Sequence, residues 1–184
     1  MTARSLALSA IVLLACGAGA CGTSSSTPGA SGAEGDPSQK SGNVAADFSA
    51  RDVEGKTVRL SDYLGKQVIL IDFWATRCEP CLAEMSHLRK MYEANKGKGF
   101  VILAVSMDGP DTVAEVPSFA KRNGMVFPVL LDEDSHVASI YNPKKAAPLS
   151  ILIDKSGKVI KTHEGYNPGD EEVLGKEVAA ALAP

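Results

Sequence analysis

The stretch VILIDFWATRCEPCLAEM, residues 68–85, constrains this chain more than any other. It opens as a continuous apolar run, the pattern of a central strand buried on both faces. From Glu79 to about Asn95 the pattern changes, with Leu82, Met85, Leu88, Met91 and Tyr92 recurring every three or four residues as on a helix. A buried strand therefore hands over directly to an amphipathic helix. Cys78 sits at the handover, and Cys81 lies one turn later on the same face. Pro80 suits a helix's first turn, where its fixed φ is preset and no N–H is needed. Asp72 interrupts the apolar run. A carboxylate there is costly unless it is neutralised or hydrogen-bonded, and burial should raise its pKa. The alternative is a strand-end acid that reaches solvent.

A cysteine pair at this spacing is a redox centre, a metal site or a structural staple, and the compartment helps to decide. Arg4 is the only charge before Glu34, and residues 6–16, LALSAIVLLAC, are apolar. That run is shorter than the ~20 residues a spanning helix needs. A positive start, a short apolar run and small residues read as a secretory signal. Residues 1–21 resemble a bacterial lipoprotein signal, in which a cysteine becomes the lipidated first residue of the mature protein. Leu13, three before Cys16, favours Cys16; Cys21 gives the more usual signal length. The alternative is an ordinary cleaved signal with incidental cysteines. In residues 22–43, fifteen of twenty-two positions are Gly, Ser, Pro or Thr and none is aromatic. Such a stretch cannot offset its ordering entropy by burial. It is expected to be a disordered tether with ends roughly 25 Å apart. Residues 44–184 are then one domain. The net charge of −3, with no basic region, argues against a nucleic-acid partner.

Of the four cysteines, only Cys78 and Cys81 remain in the domain, in a compartment where a disulfide persists. A bridge closing so short a loop stabilises little, so a staple is a weak reading. Zinc wants about four ligands, and His87, His136 and His163 show no paired spacing. No metal and no cofactor is expected. The helix start supplies the redox reading. Unpaired amide N–H groups of the first turn and the helix dipole favour an anion, and that environment lowers a thiol pKa. Cys78 is placed to attack a disulfide and Cys81, further into the helix, to resolve the mixed disulfide.

The remaining elements follow from pattern. Residues 48–60 read as a hairpin turning at Glu54 and Gly55. Residues 60–66 form a short helical turn with Ser61 as its cap. Gly97 ends the helix after the cysteines. Residues 100–107 are a second buried strand. A helix starts near Pro117 and ends at Gly124. Residues 127–132 are a strand and 135–142 a short helix. Residues 149–154 and 158–164 form an antiparallel hairpin. A terminal helix has Asp170 as cap. The fold class is α/β, a mixed central sheet with helices on both faces.

DFWATRCEPC resembles the thioredoxin active-site segment. Together with ADFSARDVEGKTVRLSDYLGK before it, an insert around residues 111–143 and APLSILIDKSGKV after it, the domain looks like the TlpA/ResA-like thiol–disulfide oxidoreductases of bacterial envelopes. The resemblance implies a thioredoxin-like fold with an N-terminal β-hairpin and a central insert. It implies a cis-proline at Pro148, flanking the cysteines and docking substrate; the alternative is a strand-start proline. It gives Asp72 the place of the buried thioredoxin aspartate behind the second cysteine, a proton carrier for Cys81. Trp74, Arg77, Glu79 and Pro80 would tune the pair. Arg77 stands where relatives usually carry tryptophan; its charge favours the Cys78 thiolate and that of Glu79 opposes it. CEPC is shared with reductive members that act in cytochrome c maturation. Those members carry an acid near the site, for which Asp108 or Asp111 is the nearest candidate, though plain loop acids are the alternative. The implied activity is reduction of disulfides in exported proteins such as cytochrome c precursors. Electrons would come from a membrane thiol donor, to a lipid-anchored monomer with its domain in the periplasm or outside the cytoplasmic membrane.

Two other functions compete. A peroxiredoxin-like thiol peroxidase wants a hydroxyl residue three before its cysteine and an earlier proline. Here position 75 is alanine, Thr76 is one place off, and no proline lies between residues 44 and 79. A tethered metallochaperone or binding module would use a wider cysteine spacing and a distal histidine. His163 reads as an exposed strand residue instead.

Overall fold

The computed structural model describes residues 44–183; the expected leader, both candidate lipidation cysteines and the tether lie outside them. Seven strands form one sheet: β1 (Ser49–Asp52), β2 (Thr57–Arg59), β3 (Val68–Trp74), β4 (Phe100–Ser106), β5 (Val129–Leu131), β6 (Leu149–Ile153) and β7 (Val159–Glu164). Four α-helices accompany them: α1 (Glu79–Asn95), α2 (Val116–Arg122), α3 (His136–Tyr141) and α4 (Asp170–Leu182). The strand order is β2-β1-β5-β4-β3-β6-β7. β3 pairs in parallel with β4, and β4 with β5; the other pairs are antiparallel. The mixed α/β architecture matches the expectation.

Every residue of β3 and β4 is buried, which explains why they lie inside the sheet. Side chains alternate between its faces. Ile69, Ile71 and Phe73 join Leu103, Val105 and Leu130 in one apolar layer, closed by Leu60 and by Val137 of α3. Val68, Leu70 and Trp74 join Ile102, Ala104 and Leu152 in the other. Met85 and Leu88 of α1, Ala120 of α2 and Val178 of α4 cover that second layer. Burying one such aliphatic side chain stabilises by ~1.5–3 kcal/mol, so the central pair anchors whatever follows β3.

The first hairpin turns as expected. Gly55 has φ 81°, and Asp52 Oδ1 accepts the N–H groups of Glu54 and Lys56 at 3.0 and 2.7 Å. Three terminal assignments differ. Ser61 is no cap: the turn is a 3-10 turn, Leu60–Asp62, entered from Arg59. The Ser61 N–H instead donates to Asp47 Oδ1 at 2.9 Å. The left-handed residue that stops the chain after α1 is Gly99, φ 86°, because a further 3-10 turn, Lys96–Lys98, extends the helix past Gly97. The residue before α4 is Gly169, and the Asp170 carboxylate accepts the Asn167 N–H at 2.7 Å, securing the preceding turn. Pro117 does fall in the first turn of α2.

Candidate active site

β3 ends at Trp74, and the chain enters α1 a few residues later. Cys78 is the residue before α1, with extended backbone (φ −96°, ψ 98°), and its Sγ accepts the Cys81 N–H at 3.3 Å. The sulfur thus takes the place a capping oxygen usually fills. Cys78 and Cys81 form a disulfide, S–S 1.98 Å and Cα–Cα 5.3 Å. Cys81 is buried and Cys78 half-buried, whereas Arg77, Glu79 and Pro80 are exposed. Pro80 lies in the first turn of α1. Trp74 is buried with its ring 5.5 Å from that of Phe119. Pro148 is buried at the entrance to β6 and follows a cis peptide bond. Its carbonyl accepts the Gly165 N–H at 2.8 Å.

The loop between β3 and α1 is held by Asp108. This buried carboxylate accepts the Thr76 N–H at 3.0 Å, the Thr76 hydroxyl at 2.5 Å and the Ser106 hydroxyl at 2.8 Å. Burial pushes the Asp108 carboxyl up, but the hydrogen bonds from Thr76 and Ser106 outweigh it and the net shift is downward. Asp108 therefore clamps the loop that presents Cys78. Asp111 is an exposed loop residue.

Asp72 does not reach solvent; it is 1 % exposed. Val68, Leu70, Asp72 and Trp74 share one face of β3, the face that α1 covers with Cys81, Met85 and Leu88. Asp72 and Cys81 therefore belong to the same layer. Ser150 lies directly across the β3–β6 pair from Asp72 and donates its hydroxyl to Asp72 Oδ1 at 3.0 Å. Burial raises the Asp72 carboxyl to about 7, against a smaller downward pull from that hydrogen bond.

A second buried acid, Glu84, was not singled out by the sequence. Glu84 Oε1 lies 3.2 Å from Ser150 Oγ. Burial, then the charge of Asp72, raises its carboxyl to about 8. Its signal was spacing: Cys81, Glu84, Met85 and Leu88 are the buried residues of α1, and Glu84 falls in that stripe at i+3 from Cys81. His163 is half-buried on β7, with Nε2 2.6 Å from Glu177 Oε2.

A dithiol–disulfide pair at a helix start, on a sheet whose adjacent strand β6 is led in by a proline, defines a thiol–disulfide oxidoreductase. The comparisons agree. The AhpC/TSA family profile matches residues 41–162. Thiol-disulfide oxidoreductase ResA of Geobacillus thermodenitrificans is 40% identical over 124 residues, 67% of this chain and 69% of that protein. The ResA of Halalkalibacterium halodurans is 36% identical over 145 residues, 79% of this chain and 78% of that protein. Among solved structures, a putative thiol:disulfide interchange protein DsbE from Chlorobium tepidum superposes with TM-score 0.71 at 34% identity, covering 77% of this chain and 97% of that one. The chain belongs to the AhpC/TSA family, among its ResA-like thiol–disulfide oxidoreductases.

Proposed function

We propose that this protein reduces disulfides in exported proteins, cytochrome c precursors among them, using Cys78 and Cys81 and no cofactor beyond that pair. One observation carries the reading: the sulfur of Cys78 accepts an amide of the first turn of α1 while Cys81 is shut inside. A more accessible, amide-stabilised sulfur suits the attacking thiolate, and a buried one suits the resolving thiol. Asp72 takes the Cys81 proton, in keeping with a carboxyl raised toward neutrality in the same layer. Pro148 helps to dock the substrate chain beside the disulfide, as the family resemblance implies. Trp74, Arg77, Glu79 and Pro80 adjust the reactivity of the pair.

The domain works outside the cytoplasmic membrane, as a monomer held by a lipid on Cys16 or Cys21 through the tether of residues 22–43. A membrane thiol donor restores the dithiol. The leader pattern and the tether composition support this placement. No described helix is long and apolar enough to cross a membrane.

The deciding measurement is the equilibrium of Cys78–Cys81 against glutathione. A reductant gives a potential near thioredoxin's, about −270 mV. A value near −120 mV, that of a strong oxidant, would reverse the direction of electron flow.

A further inference from the structure

Asn142 closes α3 and is 2 % exposed. Its side chain grips a single residue at both backbone groups. Oδ1 accepts the Ala146 N–H at 2.8 Å, and Nδ2 donates to the Ala146 carbonyl at 2.7 Å. Nδ2 also reaches Met107 Sδ at 3.3 Å. Sulfur is a weak acceptor, so the pair with Ala146 dominates. An amide turned the other way would set oxygen against oxygen and N–H against N–H, so this network fixes its orientation. The Asn142 carbonyl in turn accepts the Lys145 N–H at 2.8 Å. That bond closes a four-residue turn with Pro143 second, the place that proline's preset φ favours.

The turn is not a relaxed one. Lys145 has φ 53°, in the left-handed region where a residue with a Cβ is disfavoured. Its Nζ donates to Ser135 Oγ at 3.1 Å, and Ser135 is itself left-handed, φ 58°. Such residues persist only where their surroundings hold them. Asn142 holds Lys145 by its N–H and Ala146 by both backbone groups. The chain then changes sides. Ala146 packs against the layer of Ile71 and Phe73, whereas Ala147 packs against the layer of Trp74, as Cys78 does. Asn142 therefore fixes the last residue before the chain crosses to the cysteine side. Through Met107 it also touches the other arm of the site. The Met107 N–H donates to the Trp74 carbonyl at 2.8 Å, and the next residue, Asp108, clamps Thr76.

We propose that Asn142 is a positioning residue for polypeptide substrates: it sets the segment Ala146–Pro148 beside Cys78 and so governs how tightly a disulfide-containing chain docks there. The proposal rests on the exchange reaction and the docking by Pro148 put forward above, and it adds the residue that prepares the docking segment. Asn142 is buried on the far layer, so it acts through Ala146 and takes no part in the thiol chemistry. A docking segment already held in place loses little freedom when a chain settles on it. Without the brace, Lys145 relaxes out of the left-handed region, and the segment must be ordered again at each encounter. That cost falls on binding, so it raises KM and leaves kcat nearly alone. A small disulfide, which reaches Cys78 without lying along residues 146–148, escapes it.

Two measurements test this on the full-length protein. The first compares reduction of insulin, a polypeptide disulfide, with reduction of oxidised glutathione. Asn142→Ala should raise KM for insulin by about tenfold, while kcat and the rate with glutathione change by less than about twofold. Asn142→Asp keeps the shape but sets an oxygen against the Ala146 carbonyl, so it should raise KM at least as much. Lys145→Gly added to Asn142→Ala should recover most of the KM, because glycine takes a left-handed φ without strain. Equal losses with both disulfides, an unchanged KM, or no recovery with Lys145→Gly overturn the proposal. The second measurement needs no variant and serves if Asn142→Ala does not fold. In the unsubstituted oxidised protein the Ala146 amide should exchange its hydrogen at least about tenfold more slowly than the Lys144 amide. Equal rates would show that the brace does not hold, and would overturn the proposal. No exchange with either disulfide in the unsubstituted protein would instead defeat the oxidoreductase reading, and the hydrogen exchange would still decide whether Asn142 holds the segment.

Discussion

Asp72 sets a stability cost against a chemical use. Burial raises its carboxyl from 3.8 to about 7. Below pH 3.8 the group is protonated in both the folded and the unfolded chain and costs nothing. As pH rises, the unfolded chain releases its proton first, so the cost grows up to about pH 7 and is constant above. Each tenfold tightening of proton binding in the folded chain is worth about 1.4 kcal/mol, so the cost reaches a few kcal/mol. Asp72→Asn should therefore stabilise the domain by a few kcal/mol in urea unfolding at about pH 8 and by nothing at about pH 3. An equal gain at both pH values would show that ionisation is not the cause. The same variant should slow resolution of the mixed disulfide at neutral pH, and unchanged kinetics across the pH range would remove Asp72 from the proton path. Asp72 was legible because it broke an apolar run. Glu84 was not, because an acid in a helix is ordinarily on the solvent side, and only the stripe of Cys81, Met85 and Leu88 places it inward. The clamp by Asp108 was illegible for another reason: its partner Thr76 is 32 residues away.

Helix α1 and the strand before it were readable almost to the residue, since a buried strand and an amphipathic helix carry different periods. Their ends were less so. Ser61, Gly97 and Asp170 each stand within about two residues of the true terminal position, a distance that composition does not resolve but backbone geometry does. The start of α1 carries the next prediction. Arg77 and Glu79 flank Cys78, both are exposed, and their charges oppose each other at the sulfur. Solvent and salt screen such charges, so each effect is modest. In the dithiol form, Arg77→Gln should slow iodoacetamide alkylation of Cys78 at neutral pH by about two- to threefold, and Glu79→Gln should speed it by a similar factor. Both differences should fade at about 1 M salt, where the screening length is ~3 Å. A difference that survives high salt would mean that the substitution moved the helix start itself.

Strand order is a property of the whole molecule, and the sequence patterns did not contain it. The β1–β2 hairpin joins the sheet at β5, with Arg51 opposite Leu131 and Asp52 opposite Leu130. Val44 bridges to Lys158 near the other edge. These contacts join segments far apart along the chain, so no local period announces them. The redox pair is coupled to this whole assembly through a thermodynamic cycle. The stability of the oxidised domain minus that of the dithiol equals the potential of the pair in the unfolded chain minus that in the folded domain, times two Faradays. A reductant has the lower potential when folded, so its disulfide form must be the more stable one. Each ~30 mV of that difference is about 1.4 kcal/mol. The oxidised domain should therefore show a higher urea midpoint than the dithiol domain at neutral pH, with the same slope. This reads the direction of electron flow without any substrate or donor. A dithiol form that resists urea better than the disulfide form would make the protein an oxidant, since the fold itself would then be driving electrons onto Cys78 and Cys81.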